Sequence, residues 1–117
     1  MKRILVVDDE KHICELYRQE LEDEGYSVSA ANSGTEALAE IEQNPPDLIV
    51  LDIQMPGMDG VEMLEKLIGR DKGIPVVLNT AYSHFKNDYR TWGADAYVVK
   101  SMDTTKLKRE IKRLLGE

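Results

Sequence analysis

The chain has 117 residues, of which 42% are hydrophobic and 32% charged, which indicates one globular domain and excludes a disordered chain. Its apolar runs are at most four or five residues long and no secretory signal opens it, so we expect no membrane association. Fifteen basic and 22 acidic residues give a net charge of −7, which argues against nucleic acid as a partner of this domain by itself. The single cysteine, Cys14, cannot form an internal disulfide, which favours a reducing compartment and hence a cytoplasmic location.

Five short apolar segments predict strands. They cover residues 3–7, 26–31, 47–52, 74–79 and 96–99. The segment at 3–7 has no polar alternation, so both of its faces should be buried, whereas 26–31 alternates as an edge strand does. The segment DLIVLD at 47–52 is the most hydrophobic and should be central.

Amphipathic segments between these strands predict five helices. The first has apolar residues at helical spacing and stops at Gly25, and the second begins with Ser33 and Glu36 at capping-box spacing. A third is expected from Asp59 to about Gly69, and a fourth over the weakly periodic residues 83–93. The last is marked by Leu107, Ile111, Leu114 and Leu115.

The strict alternation of strands and helices predicts a doubly wound α/β fold. Parallel strands joined by right-handed crossovers place helices on both faces of the sheet. No linker, repeat or low-complexity segment interrupts the chain, so residues 1–117 are expected to form one domain. In such sheets ligands bind at the carboxyl ends of the strands, where the functional residues should lie.

Polar residues follow four of the five predicted strands. They are Asp8 and Asp9 after the first, Asp52 at the end of the third, Thr80 after the fourth and Lys100 after the fifth. Taken singly, each of them except Asp52 could be a helix cap or a surface charge. Together, three carboxylates, a hydroxyl and an ammonium at one edge of a parallel sheet are more than capping requires.

These groups have the chemistry of phosphoryl transfer. Two like charges ~4 Å apart repel by about 4 kcal/mol at an effective dielectric constant of 20, so three carboxylates take up a proton or a cation. Oxygen ligands at an open edge suit Mg²⁺. Lys100 and Thr80 can then contact phosphoryl oxygens, and Asp52 as nucleophile would form an aspartyl phosphate.

Four motifs carry a resemblance to a known family. VVDDE (6–10), LIVLDIQMPGMDG (48–60), TA (80–81) and YVVK (97–100) occur in the order and at the spacing of the receiver domain of response regulators. The chain therefore resembles the receiver domains of two-component signalling along essentially its whole length. The resemblance implies a flavodoxin-like (βα)5 fold with strand order 2-1-3-4-5.

The resemblance also implies the roles of individual residues. Asp52 would be the phosphoacceptor, and Lys100 would contact the phosphoryl group. Asp9, Asp52 and the backbone carbonyl of Gln54 would ligate Mg²⁺ directly, with Asp8 acting mainly through water. Thr80 and Tyr97 would form the switch. Gln54, Ala81 and Tyr82 would tune access to the phosphoryl group and its lifetime.

The implied activity is that of a signalling switch and not of an enzyme, except for its own phosphorylation and dephosphorylation. The phosphoryl donor would be a sensor histidine kinase or a phosphotransfer protein. A downstream protein would bind the surface of the fourth helix, fifth strand and fifth helix.

One position departs from the family pattern. Proline usually follows the lysine, with a cis peptide bond between them, whereas this chain has Ser101. A cis bond without proline costs about 3 kcal/mol. The Lys100–Ser101 peptide is therefore either cis at that cost or trans, with a different approach of Lys100.

Three functional hypotheses remain open at this point. The first is a switch that acts as a stand-alone response regulator, because no output domain follows Gly116 and Glu117. The second is a receiver cut from a longer regulator, and the third is an interaction module that does not use phosphate. The intact acidic set with Thr80 and Lys100 favours a phosphorylation switch over the third.

Overall fold

The computed structural model describes residues 1–52, 73–81 and 94–117 of the chain. These residues form one five-stranded parallel sheet. The strands are β1 (Arg3–Val7), β2 (Ser27–Ala31), β3 (Leu48–Leu51), β4 (Val76–Thr80) and β5 (Ala96–Val99). Their order across the sheet is β2-β1-β3-β4-β5, which confirms the predicted α/β flavodoxin-like fold.

The position of each strand agrees with its hydrophobic pattern. β3 lies at the centre of the sheet and all of its residues are buried, as its continuous apolar sequence predicts. β1 is buried from Ile4 to Val7 between β2 and β3. β2 forms one edge of the sheet and exposes Ser27 and Ala30, which confirms the edge position that its alternation predicts.

Three helices lie within the described residues. They are α1 (Lys11–Glu22), α2 (Gly34–Gln43) and α3 (Thr105–Leu115), and α3 is the last of the five predicted helices. The third and fourth predicted helices lie outside the described residues. Within the described part of the chain, no helix is long and apolar enough to span a membrane.

The ends of these helices follow from local sequence. Gly25, at φ +95°, reverses the chain after α1 in a conformation that residues with a side chain rarely adopt. Ser33 caps α2, since its Oγ accepts a hydrogen bond from the Glu36 amide at 3.1 Å. The Glu36 carboxylate accepts from the amide of Asn32 at 2.6 Å, so the return bond of the predicted capping box reaches one residue further back.

The core lies on both faces of the sheet because strand side chains alternate in direction. One apolar cluster joins even-numbered residues of β1, β2, β3 and β5, together with Val77, to α1 and α3. The other joins alternate strand residues to Ala37 and Ile41 of α2. Residues that are paired in register across neighbouring strands therefore reach the same face of the sheet, as Val50 and Val77 do. This decides the position of the polar residues beyond the strand ends.

Strand β4 differs from its predicted bounds. It begins at Val76 because Pro75 has no N–H to donate, although the Pro75 carbonyl accepts a hydrogen bond from Ile49 at 3.0 Å. It continues through Thr80, which pairs with Val99 of β5. Thr80 is thus the last strand residue and not the first loop residue.

Candidate functional site

The site is built at the carboxyl end of the sheet by strand register. Val7 pairs with Leu51, and Leu51 pairs with Leu78. The residues that directly follow these three are Asp8, Asp52 and Asn79, which therefore lie side by side. The backbone amide of Asp52 donates to the carbonyl of Val7 at 3.0 Å, which extends the ladder past the strand ends. Asp8 and Asp52 are 2% and 4% exposed, so two carboxylates are buried next to each other.

Lys100 lies between these two carboxylates. Its Nζ is 2.7 Å from Oδ2 of Asp8 and 2.9 Å from Oδ2 of Asp52. Burial lowers the pKa of Lys100, but the hydrogen bonds to Asp8 and Asp52 outweigh that effect and raise the pKa above its ordinary value. The lysine therefore remains charged and offsets part of the repulsion between the acids. The family resemblance assigns Lys100 to the phosphoryl group and does not predict its contact with Asp8.

The backbone geometry of Lys100 resolves the question raised by Ser101. No peptide bond among the described residues is cis, so the Lys100–Ser101 peptide is trans. The Lys100 amide donates to the carbonyl of Thr80 at 2.7 Å. The side chain thus reaches both acids from a trans backbone.

Asp8, Asp9 and Asp52 form a cluster that could hold a metal ion. One carboxylate oxygen from each of them lies within 4.8 Å of the others. Asp8 and Asp52 are buried, whereas Asp9 is exposed, so the cluster opens to solvent on one side. An all-oxygen set of this kind fits Mg²⁺, which keeps several of its waters and binds few protein carboxylates.

The loop that carries Asp8 is fixed by contacts that the sequence analysis missed. The side-chain amide of Asn32 donates to the Asp8 carbonyl at 3.0 Å, and the Cys14 thiol contacts the same oxygen at 3.4 Å. The amide of Glu10 donates to Asp8 Oδ1 at 3.0 Å. Burial raises the pKa of Asp8, although the bonds from Lys100 and Glu10 oppose this. Asn32 follows β2 directly, and its position at a strand end is the only signal that could have drawn attention to it.

Cys14 is a buried free thiol. It is 4% exposed and belongs to the apolar cluster under α1. Burial raises the pKa of its thiol to about 11, so the reactive thiolate is scarce at neutral pH.

The residues assigned to switching and tuning are only partly within the described chain. Thr80 is fully buried and lies on the opposite face of the sheet from Asn79. Tyr97 is partly buried and packs on the apolar cluster of that same face, and Ala81 is exposed. Gln54 and Tyr82 lie outside the described residues, so their assigned roles stay predictions.

A buried polar pair lies on the face that carries the acids. Tyr17 of α1 is 3% exposed and Asn79 is 2% exposed. Burial raises the pKa of Tyr17, while its hydrogen bond with the Asn79 side chain and the positive charge of Lys100 lower it. The negative charges of Asp8 and Asp52 also raise the pKa of Tyr17.

With this geometry, the comparison with known proteins identifies the class of the chain. Residues 4–112 match the sequence model of the response regulator receiver domain. The chain belongs to this family, whose members are the receiver domains of two-component systems. This confirms the resemblance drawn from the four sequence motifs.

Two curated relatives from Bacillus subtilis differ in how much of their length is matched. The alkaline phosphatase synthesis transcriptional regulatory protein PhoP is 37% identical over 97% of this chain, but the match covers 48% of PhoP. Sporulation initiation phosphotransferase F is 33% identical over 97% of this chain and 94% of its own length. The chain thus spans about half the length of the first relative and nearly all of the second.

Among solved structures, the response regulator protein TrrA of Thermotoga maritima is similar to this chain in two crystal structures of different complexes. In complex with Mg²⁺ and BeF it has a TM-score of 0.91 at 46% identity, covering 97% of this chain and 99% of TrrA. In complex with the histidine kinase ThkA it has a TM-score of 0.90 at 47% identity, covering 98% and 99%.

Proposed function

We propose that the chain is a phosphorylation-activated signalling switch in which Asp52 accepts a phosphoryl group in a Mg²⁺-dependent reaction. The observation that carries this proposal is the cluster of Asp8, Asp9 and Asp52, whose oxygens lie within 4.8 Å of one another beside the ammonium of Lys100. Buried carboxylates with one cation between them are costly for a fold, and a role in stability does not explain them.

In the proposed reaction, a carboxylate oxygen of Asp52 attacks the phosphorus atom of a phosphohistidine on the donor. The new O–P bond forms as the P–N bond breaks, and the electron pair of that bond returns to the imidazole nitrogen of the donor. Asp52 suits this role because its ladder bond to Val7 and the ion pair with Lys100 fix its position. Lys100 would stabilise negative charge on the transferred group. Thr80, the last residue of β4, lies on the other face of the sheet, so its hydroxyl would have to turn around the end of the strand to donate a hydrogen bond to that group.

Mg²⁺ would be held by Asp9 and Asp52, by the backbone carbonyl of Gln54 and, through water, by Asp8. When bound, it supplies positive charge that lets an anionic donor approach anionic ligands. The exposure of Asp9 next to the two buried acids gives the ion and the donor a route from solvent. The complex of TrrA with Mg²⁺ and BeF supports this assignment by similarity.

The proposed donor is a sensor histidine kinase or a phosphotransfer protein, which the structure of TrrA with the kinase ThkA supports. A downstream protein would bind the surface that includes β5 and α3, where Val99 and Met102 are 40% and 81% exposed. We further propose that residues 1–117 form a single receiver domain that works in the cytoplasm and does not itself bind nucleic acid. Its net charge of −7 and its buried free Cys14 are consistent with this.

Treatment with phosphoramidate, whose P–N bond resembles that of phosphohistidine, tests the proposal. Intact-mass spectrometry should find one added phosphoryl group in the presence of Mg²⁺ and none with EDTA. Asp52→Asn should abolish the addition. The matched control is Asp47→Asn at the opposite, exposed end of β3, which should be labelled as wild type is. Equal labelling of Asp52→Asn and wild type, or labelling that ignores Mg²⁺, would overturn the assignment.

A further inference from the structure

Asn79 is a buried amide with one unused hydrogen-bonding atom. It is 2% exposed, and its side chain is hydrogen-bonded to Tyr17. Its Oδ1 has no hydrogen-bond partner within the described part of the chain. A buried acceptor without a partner is unfavourable, and native proteins contain few of them. The proposed transfer of a phosphoryl group to Asp52 assigns no role to this residue.

Strand register places Asn79 under the path of the Lys100 side chain. Asn79 follows Leu78, which pairs with Leu51, and it pairs with Val98 of β5. Lys100 lies two residues beyond Val98, and its ammonium contacts Asp52, which follows β3, and Asp8, which follows β1. Because β4 lies between β3 and β5, about 4.8 Å from each, the lysine side chain must cross β4 to reach the acids. It crosses on the face of the sheet from which Asn79 projects.

The ammonium of Lys100 and a metal ion would compete for the same carboxylates. Lys100 bonds to Oδ2 of Asp8 and Oδ2 of Asp52, and these two residues belong to the cluster that fits Mg²⁺. An ammonium has three donors, and because the Lys100 side chain is only 14% exposed, most of them need acceptors within the protein. Thr80 faces the other side of the sheet, so its hydroxyl is not beneath the lysine.

We propose that Asn79 is a positioning residue for Lys100, whose Oδ1 accepts the hydrogen bond that the ammonium gives up when Mg²⁺ occupies the carboxylate cluster. Tyr17 holds the other end of the amide and so keeps Oδ1 available. The inference rests on the proposed Mg²⁺ site and adds a determinant of its affinity. An acceptor for the displaced lysine lowers the free energy of the metal-bound state and not that of the metal-free state.

Calorimetric titration with Mg²⁺ alone tests this in single and double variants. Asn79→Val removes the acceptor while keeping a residue that suits a strand, and it should raise the dissociation constant roughly tenfold, the usual effect of losing a hydrogen bond to a charged group. Asn79→Thr is nearly isosteric with valine and keeps an oxygen acceptor, so it should bind Mg²⁺ more tightly than Asn79→Val. Should valine prevent folding, Asn79→Ala takes its place with the same expectation.

A double-mutant cycle with Lys100→Ala separates positioning from a general structural effect. Without the ammonium there is nothing to relocate, so Asn79→Val should change the dissociation constant by less than about twofold in that background. An equal tenfold loss in both backgrounds, or no loss in either, would overturn the inference. Failure of wild type to bind Mg²⁺ at all would instead overturn the proposed function.

Discussion

The two ends of the strands differ in what they bury. Toward the amino ends, β1, β3 and β4 bury only apolar side chains, among them Ile4, Leu48 and Val76. At the carboxyl ends, the same three strands lead to the buried polar residues Asp8, Asp52, Asn79 and Thr80. Within the described residues, the other buried side chains with a hydroxyl group are Thr104, Tyr17 and Tyr26.

Under the proposed function, this difference means that stability and chemistry are separated along one sheet. Burial of apolar surface stabilises the fold, whereas buried charges cost free energy that their pairing only partly offsets. Removal of a carboxylate from the polar end is therefore expected to leave the stability unchanged or to increase it, although it would abolish the proposed function. Truncation of a buried apolar side chain at the amino ends of the strands should instead lower the stability of the fold.

The largest effect is expected at the apolar end. Leu48→Ala should lower the free energy of unfolding by about 2–5 kcal/mol, since Leu48 is fully buried at the start of the central strand. Urea denaturation followed by circular dichroism measures this. Val99→Ala, at a position that is 40% exposed, is the control and should change stability much less. Equal losses in the two variants would contradict the separation described above.

A smaller loss is expected when the cation at the polar end is removed. Lys100→Ala leaves Asp8 and Asp52 without their shared partner. It should lower the free energy of unfolding in EDTA by roughly 2–3 kcal/mol. This is less than the full cost of breaking a deeply buried pair, because the ammonium is partly exposed. Excess Mg²⁺ should restore most of this stability. Lys106→Ala on the exposed side of α3 controls for the loss of a lysine. A metal-free Lys100→Ala as stable as wild type would show that the ion pair contributes nothing.

Tyr26 lies at the end of the sheet remote from the acids, and its hydroxyl donates a hydrogen bond to Glu117 Oε1 at 2.6 Å. Tyr26→Phe should therefore lower the free energy of unfolding by about 1 kcal/mol at pH 7. Burial and this bond raise the pKa of Tyr26, so the unfolded chain releases the phenol proton first, near pH 10. Wild-type stability should therefore fall relative to Tyr26→Phe as the pH rises above about 10. Denaturation at neutral pH and at about pH 10.5 tests the sign, and a constant difference would refute it.

Much of the fold was predictable because each strand carries a pattern that matches its environment. The uninterrupted apolar run of β3 predicts a central strand, and the alternation of β2 predicts an edge. The end of β4 was missed because Thr80 is polar, while its burial and strand pairing depend on a neighbour far away in sequence.

The site was predictable in its composition and less so in its contacts. The residue types at the strand ends indicate that Asp8, Asp9, Asp52 and Lys100 meet at one edge of the sheet. They do not indicate that Lys100 bridges Asp8 and Asp52, or that Asn32 holds the Asp8 carbonyl. Such contacts depend on side-chain reach across several strands, which periodicity and spacing do not encode.

Under the proposed function, the acidic cluster serves metal-dependent chemistry at the expense of stability. Asp52→Asn removes one charge and leaves Lys100 paired with Asp8, so the metal-free variant should be more stable than wild type by about 1 kcal/mol after screening. Mg²⁺ at about ten times its dissociation constant should add roughly 1.4 kcal/mol to wild type and less to the variant. The most direct measurement is the unfolding free energy of both proteins in EDTA and in Mg²⁺. We expect Asp52→Asn to have the higher unfolding free energy in EDTA, and we expect Mg²⁺ to narrow or reverse that difference. A metal-free variant less stable than wild type, or equal stabilisation of both proteins by Mg²⁺, would contradict this expectation.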